Sequence, residues 1–179
     1  MSNEHLPGIR TRMRPGNQRF METEDNALLA DLTENGQHPY AIVVACSDSR
    51  VIPEAIFDAS LGELFVIRVA GNVLDNHQLG SIEYAVEHLH CSMILVLGHT
   101  GCGAVSAALT GCNERYIRYI TEDIQKAIGE EKDPYKACCL NVEHAVERLK
   151  GEFRLLPEIG GVIIEGAVYD IRSGKVKWL

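Results

Sequence analysis

The chain lacks a positive surplus, a long apolar run and any paired cysteine knuckle, and each absence removes a class of function. Its 17 Lys and Arg stand against 25 Asp and Glu, a formal net charge of −8. A phosphate-binding surface needs clustered cations, so nucleic acid is not the expected partner; a negative surplus of this kind keeps a protein in solution. No stretch approaches the ~18 consecutive apolar residues of a membrane span. The first twenty residues carry scattered Arg but no apolar core of the kind a secretory signal needs, so a cytoplasmic location is expected. Thiols stay reduced there. The six cysteines (Cys46, Cys91, Cys102, Cys112, Cys138 and Cys139) include no Cys-x-x-Cys pair, the spacing on which closed structural zinc sites generally draw.

What is present is an ordinary globular balance. In 179 residues, 46% are hydrophobic and 23% charged, enough to build one core without disulfides. Residues 17–32 carry apolar side chains at roughly helical spacing, and Glu34-Asn35-Gly36 ends that helix. Short, fully apolar runs at 41–45, 64–69 and 93–97 read as buried strands. A fourth strand spans 161–169, entered by a turn at Gly160-Gly161. A C-terminal edge strand follows at 175–178 after a turn at Ser173-Gly174. Helical faces occupy 79–89, a segment after Gly101, 114–128 and 135–150, with Lys132-Asp133-Pro134 separating the last two. Apolar strands alternating with helices predict a single α/β domain with a mainly parallel central sheet flanked by helices. Residues 1–35 form its N-terminal arm and helix, and residues 40–179 its core.

Two polar clusters close two of these strands. Ala45-Cys46-Ser47-Asp48-Ser49-Arg50 follows the first, and extended chain would turn Cys46, Asp48 and Arg50 to one side. Gly98-His99-Thr100-Gly101-Cys102-Gly103 follows the third. In open parallel sheets, sites gather beyond the carboxyl ends of strands, so the clusters are expected to meet. Two thiolates and an imidazole suit Zn²⁺, and catalytic zinc commonly keeps three protein ligands and one open position for water. Cys46, His99 and Cys102 are the candidate ligands. Asp48 is either the acceptor for the hydroxide formed there or a fourth ligand closing the site, and Arg50 is placed to hold it ionised. A free amide near the helix start after Gly101 is placed to bind a developing anion. Cys91, Cys112, Cys138 and Cys139 lack neighbouring ligand types and read as packing residues; His88 and His144 read as helix-face histidines, and His77 as a loop residue, with a proton-shuttle role as its functional alternative.

The paired motif Cys46-Ser47-Asp48-Ser49-Arg50 and His99-Thr100-Gly101-Cys102-Gly103 resembles the signature of the β-class carbonic anhydrases. The likeness extends through Val51-Ile52-Pro53-Glu54, Phe65-Val66-Ile67-Arg68, Ala70-Gly71-Asn72 and Ser81–Ala85, and resumes at Gly166–Ile171. The resemblance implies a zinc lyase that reversibly hydrates CO2 to bicarbonate and a proton by attack of zinc-bound hydroxide. It implies one Zn²⁺ per subunit on Cys46, His99 and Cys102, a catalytic dyad of Asp48 and Arg50, and a substrate contact at the amide of Gly103. Phe65, Ala70 and Tyr84 fall where members line the cleft, some from a neighbouring subunit. Homodimers that exchange the N-terminal helix, or homotetramers, are further implied. Two departures stand out. Val69 replaces an Asn common in the family, and the Trp-Arg-Tyr bicarbonate set of one subtype is not matched, since the only Trp is Trp178. The form with Asp48 off the metal is therefore expected near neutral pH. The same site residues would serve a carbonyl sulfide or carbon disulfide hydrolase, and a zinc-stabilised binding module without turnover is the reading from outside enzymology.

Overall fold

The computed structural model describes residues 6–153 and 161–179, with side chains from residue 11 onward; Gly160 and residues 1–5 lie outside them. The helical stretch up to Gln37 and the segment from His38 to Leu179 are two separate compact units. The first holds α1 (Leu6–Thr23) and α2 (Asn26–Asn35). The single helix expected over 17–32 is thus two. Asp25 is the reason: its backbone is extended and its carboxylate accepts from Ala27 N–H at 2.8 Å, capping a new helix start. Gly36, at φ 80°, closes α2.

The second unit holds β1 (Ala41–Ala45), α3 (Pro53–Ile56), β2 (Leu64–Arg68), α4 (Asn76–Leu89), β3 (Met93–His99), α5 (Gly103–Leu109), α6 (Ile117–Ile128), α7 (Pro134–Phe153), β4 (Ile163–Tyr169) and β5 (Val176–Trp178). A 3₁₀ turn, Ala70–Asn72, follows β2. The strands form one sheet in the order β2-β1-β3-β4-β5. The first four are mutually parallel, and β5 runs antiparallel on the edge. β1 is buried along its whole length, so it must be apolar on both faces. Ile42 and Val44 join α4 and α7 through Ile82, Val86, Val142 and Leu149, while Val43 and Ala45 pack opposite with Val51, Leu95 and Leu97. From β1 the chain goes to β2 on one side and then crosses to β3 on the other. That reversal opens a crevice above the carboxyl ends of β1 and β3.

Helix α7 lies unusually close to the sheet. A Cβ on Gly98 would sit 2.5 Å from Val142 Cγ2 and 3.1 Å from Cys138 Sγ, and one on Gly166 would sit 2.7 Å from Val142 Cγ1. Small residues at both positions let Val142 seat between β3 and β4. Gly98→Ala is therefore expected to cost about 1–3 kcal/mol by overpacking, read as a lower urea midpoint with an unchanged slope. An unchanged midpoint would show that the helix has room to move away.

Candidate metal centre

The expected clusters do meet in that crevice. β3 runs two residues further than its apolar stretch indicated, so His99 is the last residue of a strand rather than the first of a loop. This places its ring inside the protein, fully buried. Nδ1 is 3.0 Å from the carbonyl oxygen of Thr100, which puts the ring proton on Nδ1 and leaves Nε2 with a bare lone pair. Buried polar atoms are almost always satisfied, yet His99 Nε2 has no hydrogen-bond partner. What faces it is sulfur. The ligand atoms of Cys46, His99 and Cys102 lie within 4.8 Å of one another, all three residues buried. The two sulfurs are 4.0 Å apart, against roughly 3.8 Å for two thiolates on one tetrahedral zinc with bonds of about 2.3 Å. An unpaired imidazole nitrogen and two thiols at that spacing fit a zinc ion.

The sulfurs divide the protons between them. The Cys46 thiol is pulled down, first by the S–H that Cys102 directs at it and further by the N–H of Gly71, against the opposing effect of burial. Cys102 is pushed up, by Cys46 and by burial, although the N–H groups of Val105 and Ala104 at the start of α5 favour its thiolate. Cys138, by contrast, keeps its proton: burial pushes it up to about 12, and its S–H donates to the carbonyl of His99 at 3.2 Å. It fills the core, as its lack of partners indicated. Cys91 does likewise, its S–H bonded to the carbonyl of Pro39.

Asp48 and Arg50 also meet, but not by strand alternation. The chain leaves the extended form after Cys46 and turns, with Val51 N–H bonded to Asp48 O at 2.9 Å. Arg50 then grips Asp48 with both arms, Nε to Oδ1 at 2.9 Å and Nη2 to Oδ2 at 2.7 Å, and its backbone N–H reaches Oδ1 as well. This guanidinium holds the Asp48 carboxyl far below the usual carboxylate range. Asp48 Oδ2 is 3.9 Å from His99 Nε2, beside the three-ligand cluster. Arg50 Nη2 also reaches the carbonyl of Gly101, at 3.3 Å, tying the two loops together.

Gly103 is the first residue of α5, with Cys102 as its cap, so its N–H has no acceptor within the helix. Ala70 lies in the turn beside Cys46. Phe65 and Tyr84 are placed differently: their rings contact each other at 6.3 Å between centroids, and Phe65 pairs in register with Ile42, three residues before the end of β1. The contacts seen within one chain do not bring that pair to the metal ligands. Two supports escaped a reading by motif chemistry. Arg68 bonds the carbonyls of Cys46 and Asp48, at 3.1 and 2.7 Å; apart from its place in a stretch that resembles the family, its sequence signal is a lone cation ending an apolar strand. Asn141 has no signal beyond being polar on an apolar helix face.

Comparison with known proteins decides the family. A carbonic anhydrase family model matches residues 41–176. This chain belongs to the β-carbonic anhydrase family. It is 36% identical to a carbonic anhydrase of Mycolicibacterium smegmatis, with 99% of this chain and 95% of that protein covered. It is 42% identical to carbonic anhydrase 2 of Mycobacterium tuberculosis over 65% of this chain. That match spans 61% of the relative's length. Among solved structures, the β-carbonic anhydrase CcaA superposes with a TM-score of 0.83 at 25% identity, covering 96% of this chain and 92% of that one. A tetrameric β-carbonic anhydrase from Sordaria macrospora superposes with a TM-score of 0.73 at 25% identity over 99% of this chain and 98% of that one. The β-carbonic anhydrase sheet therefore carries the Cys46-His99-Cys102 cluster in this chain, and no helix among the described residues is long and apolar enough to cross a membrane.

Proposed function

We propose that the chain is a zinc enzyme catalysing CO2 + H2O ⇌ HCO3⁻ + H⁺. The observation that carries this reading is the buried, unpartnered Nε2 of His99 facing two sulfurs. Cys46, His99 and Cys102 would hold the ion, and Zn²⁺ in such a site supplies a nucleophile at neutral pH by acidifying a water. The residues around it do the rest. Asp48, ionised because of Arg50, accepts a hydrogen bond from the attacking water and orients its lone pair. Arg50 anchors both carboxylate oxygens, holding Asp48 back from the metal position while leaving Oδ2 a free lone pair to accept that bond. The Gly103 N–H, at a helix start, is placed to bind the substrate oxygen that gains charge.

Family relatives that assemble as tetramers support a homodimer or homotetramer here too. On α1, Met13, Phe20 and Met21 are 72, 40 and 63% exposed, apolar surface suited to exchange between two copies. In such an assembly Phe65, Ala70 and Tyr84 would line the substrate cleft, Phe65 and Tyr84 from across the interface. Six cysteines without a disulfide among them suit a reducing compartment such as the cytoplasm.

The test is direct. Purified protein should contain one zinc per chain and hydrate CO2 in a stopped-flow indicator assay, with carbonyl sulfide and carbon disulfide assayed in parallel. Sulfide release without CO2 hydration would overturn the substrate assignment. A folded protein that takes up no zinc would overturn the whole reading.

A further inference from the structure

One buried polar side chain near the centre is neither a ligand nor a partner of the Asp48–Arg50 pair. Asn141, on α7, is only 4% exposed. Its Nδ2 donates to the carbonyl oxygen of Gly71 at 2.9 Å, across 70 residues of sequence. Burying an amide costs free energy unless such a bond is made, and an apolar residue would serve α7 better if packing were the only task.

Gly71 explains the task. Its backbone is left-handed, at φ 69° and ψ 16°, and a Cβ there would approach Ile124 Cδ1 to 2.8 Å and Ala104 Cβ to 3.0 Å. Only glycine fits, but glycine by itself leaves the backbone free to rotate. The N–H of the same residue donates to Cys46 Sγ at 3.2 Å. The carbonyl and N–H of Gly71 lie in the two peptide planes that flank its Cα, so anchoring the carbonyl removes one of the two rotations by which the N–H could swing off the sulfur. We propose that Asn141 is a positioning residue of the metal centre, aiming the Gly71 N–H at the sulfur of Cys46. An N–H···S bond withdraws electron density from a thiolate ligand, which leaves its metal a stronger Lewis acid. This role rests on the zinc reading above.

The test replaces zinc by Co²⁺ in the full-length protein and follows the sulfur-to-cobalt charge-transfer band in the near ultraviolet. Removing the N–H···S bond raises the donor level of the sulfur, so the band in Asn141→Leu should move to longer wavelength. Asn141→Asp, which keeps the shape but has no N–H to give, should do the same and serves if the leucine variant fails to fold. Zinc affinity by chelator competition should weaken by about tenfold, and kcat should fall by about tenfold with KM unchanged. Leu149→Ala, two turns along α7 and fully buried, supplies the control: it loosens the helix but should leave the band in place. A band unmoved in both Asn141 variants, or moved as far in Leu149→Ala, overturns the positioning role and leaves the zinc reading intact. A wild-type protein that takes up no cobalt overturns the zinc reading and this role with it.

Discussion

Cys46→Ser is expected to abolish both stoichiometric zinc and CO2 hydration while leaving the sheet folded. The serine hydroxyl stays protonated near neutral pH, whereas the ligand position needs an anion. Cys46 is also the only ligand contributed by the first loop, and the other two come from one short stretch of chain. Losing it leaves His99 and Cys102 as a two-point site with no third anchor. The consequence for stability follows by mass action. Metal present at about 1,000 times its Kd adds about 4.1 kcal/mol to the folded state, and in a domain of this size each kcal/mol moves Tm by about 2–4 °C. Chelation should therefore lower the Tm of the wild type by roughly 8–16 °C and leave that of Cys46→Ser unmoved. Calorimetry with and without chelator, alongside elemental analysis, reads both effects. Retention of one tightly held zinc by the variant would remove Cys46 from the ligand set.

The second large effect separates chemistry from metal binding. Asp48→Ala should keep its zinc yet lose about 10²–10⁴-fold in kcat/KM, the usual contribution of a positioned acid–base group. Asp48 lies beside the ligand cluster rather than within its triangle, so removing its carboxylate deletes an acceptor without deleting a ligand. The pH behaviour has a definite sign. Arg50 lowers the pKa of Asp48, so whatever depends on the carboxylate is fully present above the ordinary carboxylate range. It is lost only as pH falls through the depressed value. A loss of wild-type activity around pH 5–6 therefore has another origin. In Arg50→Leu the Asp48 pKa rises toward its usual value near 4, and the acid limb attributable to this group moves up with it. Carbon-13 NMR of labelled Asp48 follows that shift directly. Wild-type turnover in Asp48→Ala would show that this carboxylate takes no part in the reaction.

Much of the architecture was legible from local pattern. The continuous apolar run 41–45 predicted a strand buried on both faces, and β1 is one. The alternation of such runs with helices predicted the parallel sheet, and the turn at Ser173-Gly174 predicted an edge strand, which the structure shows to be antiparallel. Local pattern failed where a hydrogen bond, not hydrophobic period, sets the boundary. The carboxylate of Asp25 divides a stretch whose apolar spacing looks continuous. β3 continues through Gly98 and His99 because β4 pairs with it there, a fact held in another part of the chain.

The centre divides along the same line. The residue types and spacing of Cys46, His99 and Cys102 by themselves pointed to a three-ligand metal site, since few other roles need two thiols and an imidazole at strand ends, and their ligand atoms do lie within 4.8 Å of one another. Asp48 and Arg50 do meet, but by a different geometry from the one that extended chain predicts. A turn, not strand alternation, joins them, because a guanidinium two residues away can reach both carboxylate oxygens only if the chain folds back. Tertiary structure alone decided the rest: that β1 and β3 are neighbours across the chain reversal, that Arg68 holds the first loop by its carbonyls, and that Asn141 holds Gly71. Those partners act through backbone groups, which every residue carries alike. No side-chain pattern in a sequence can single them out.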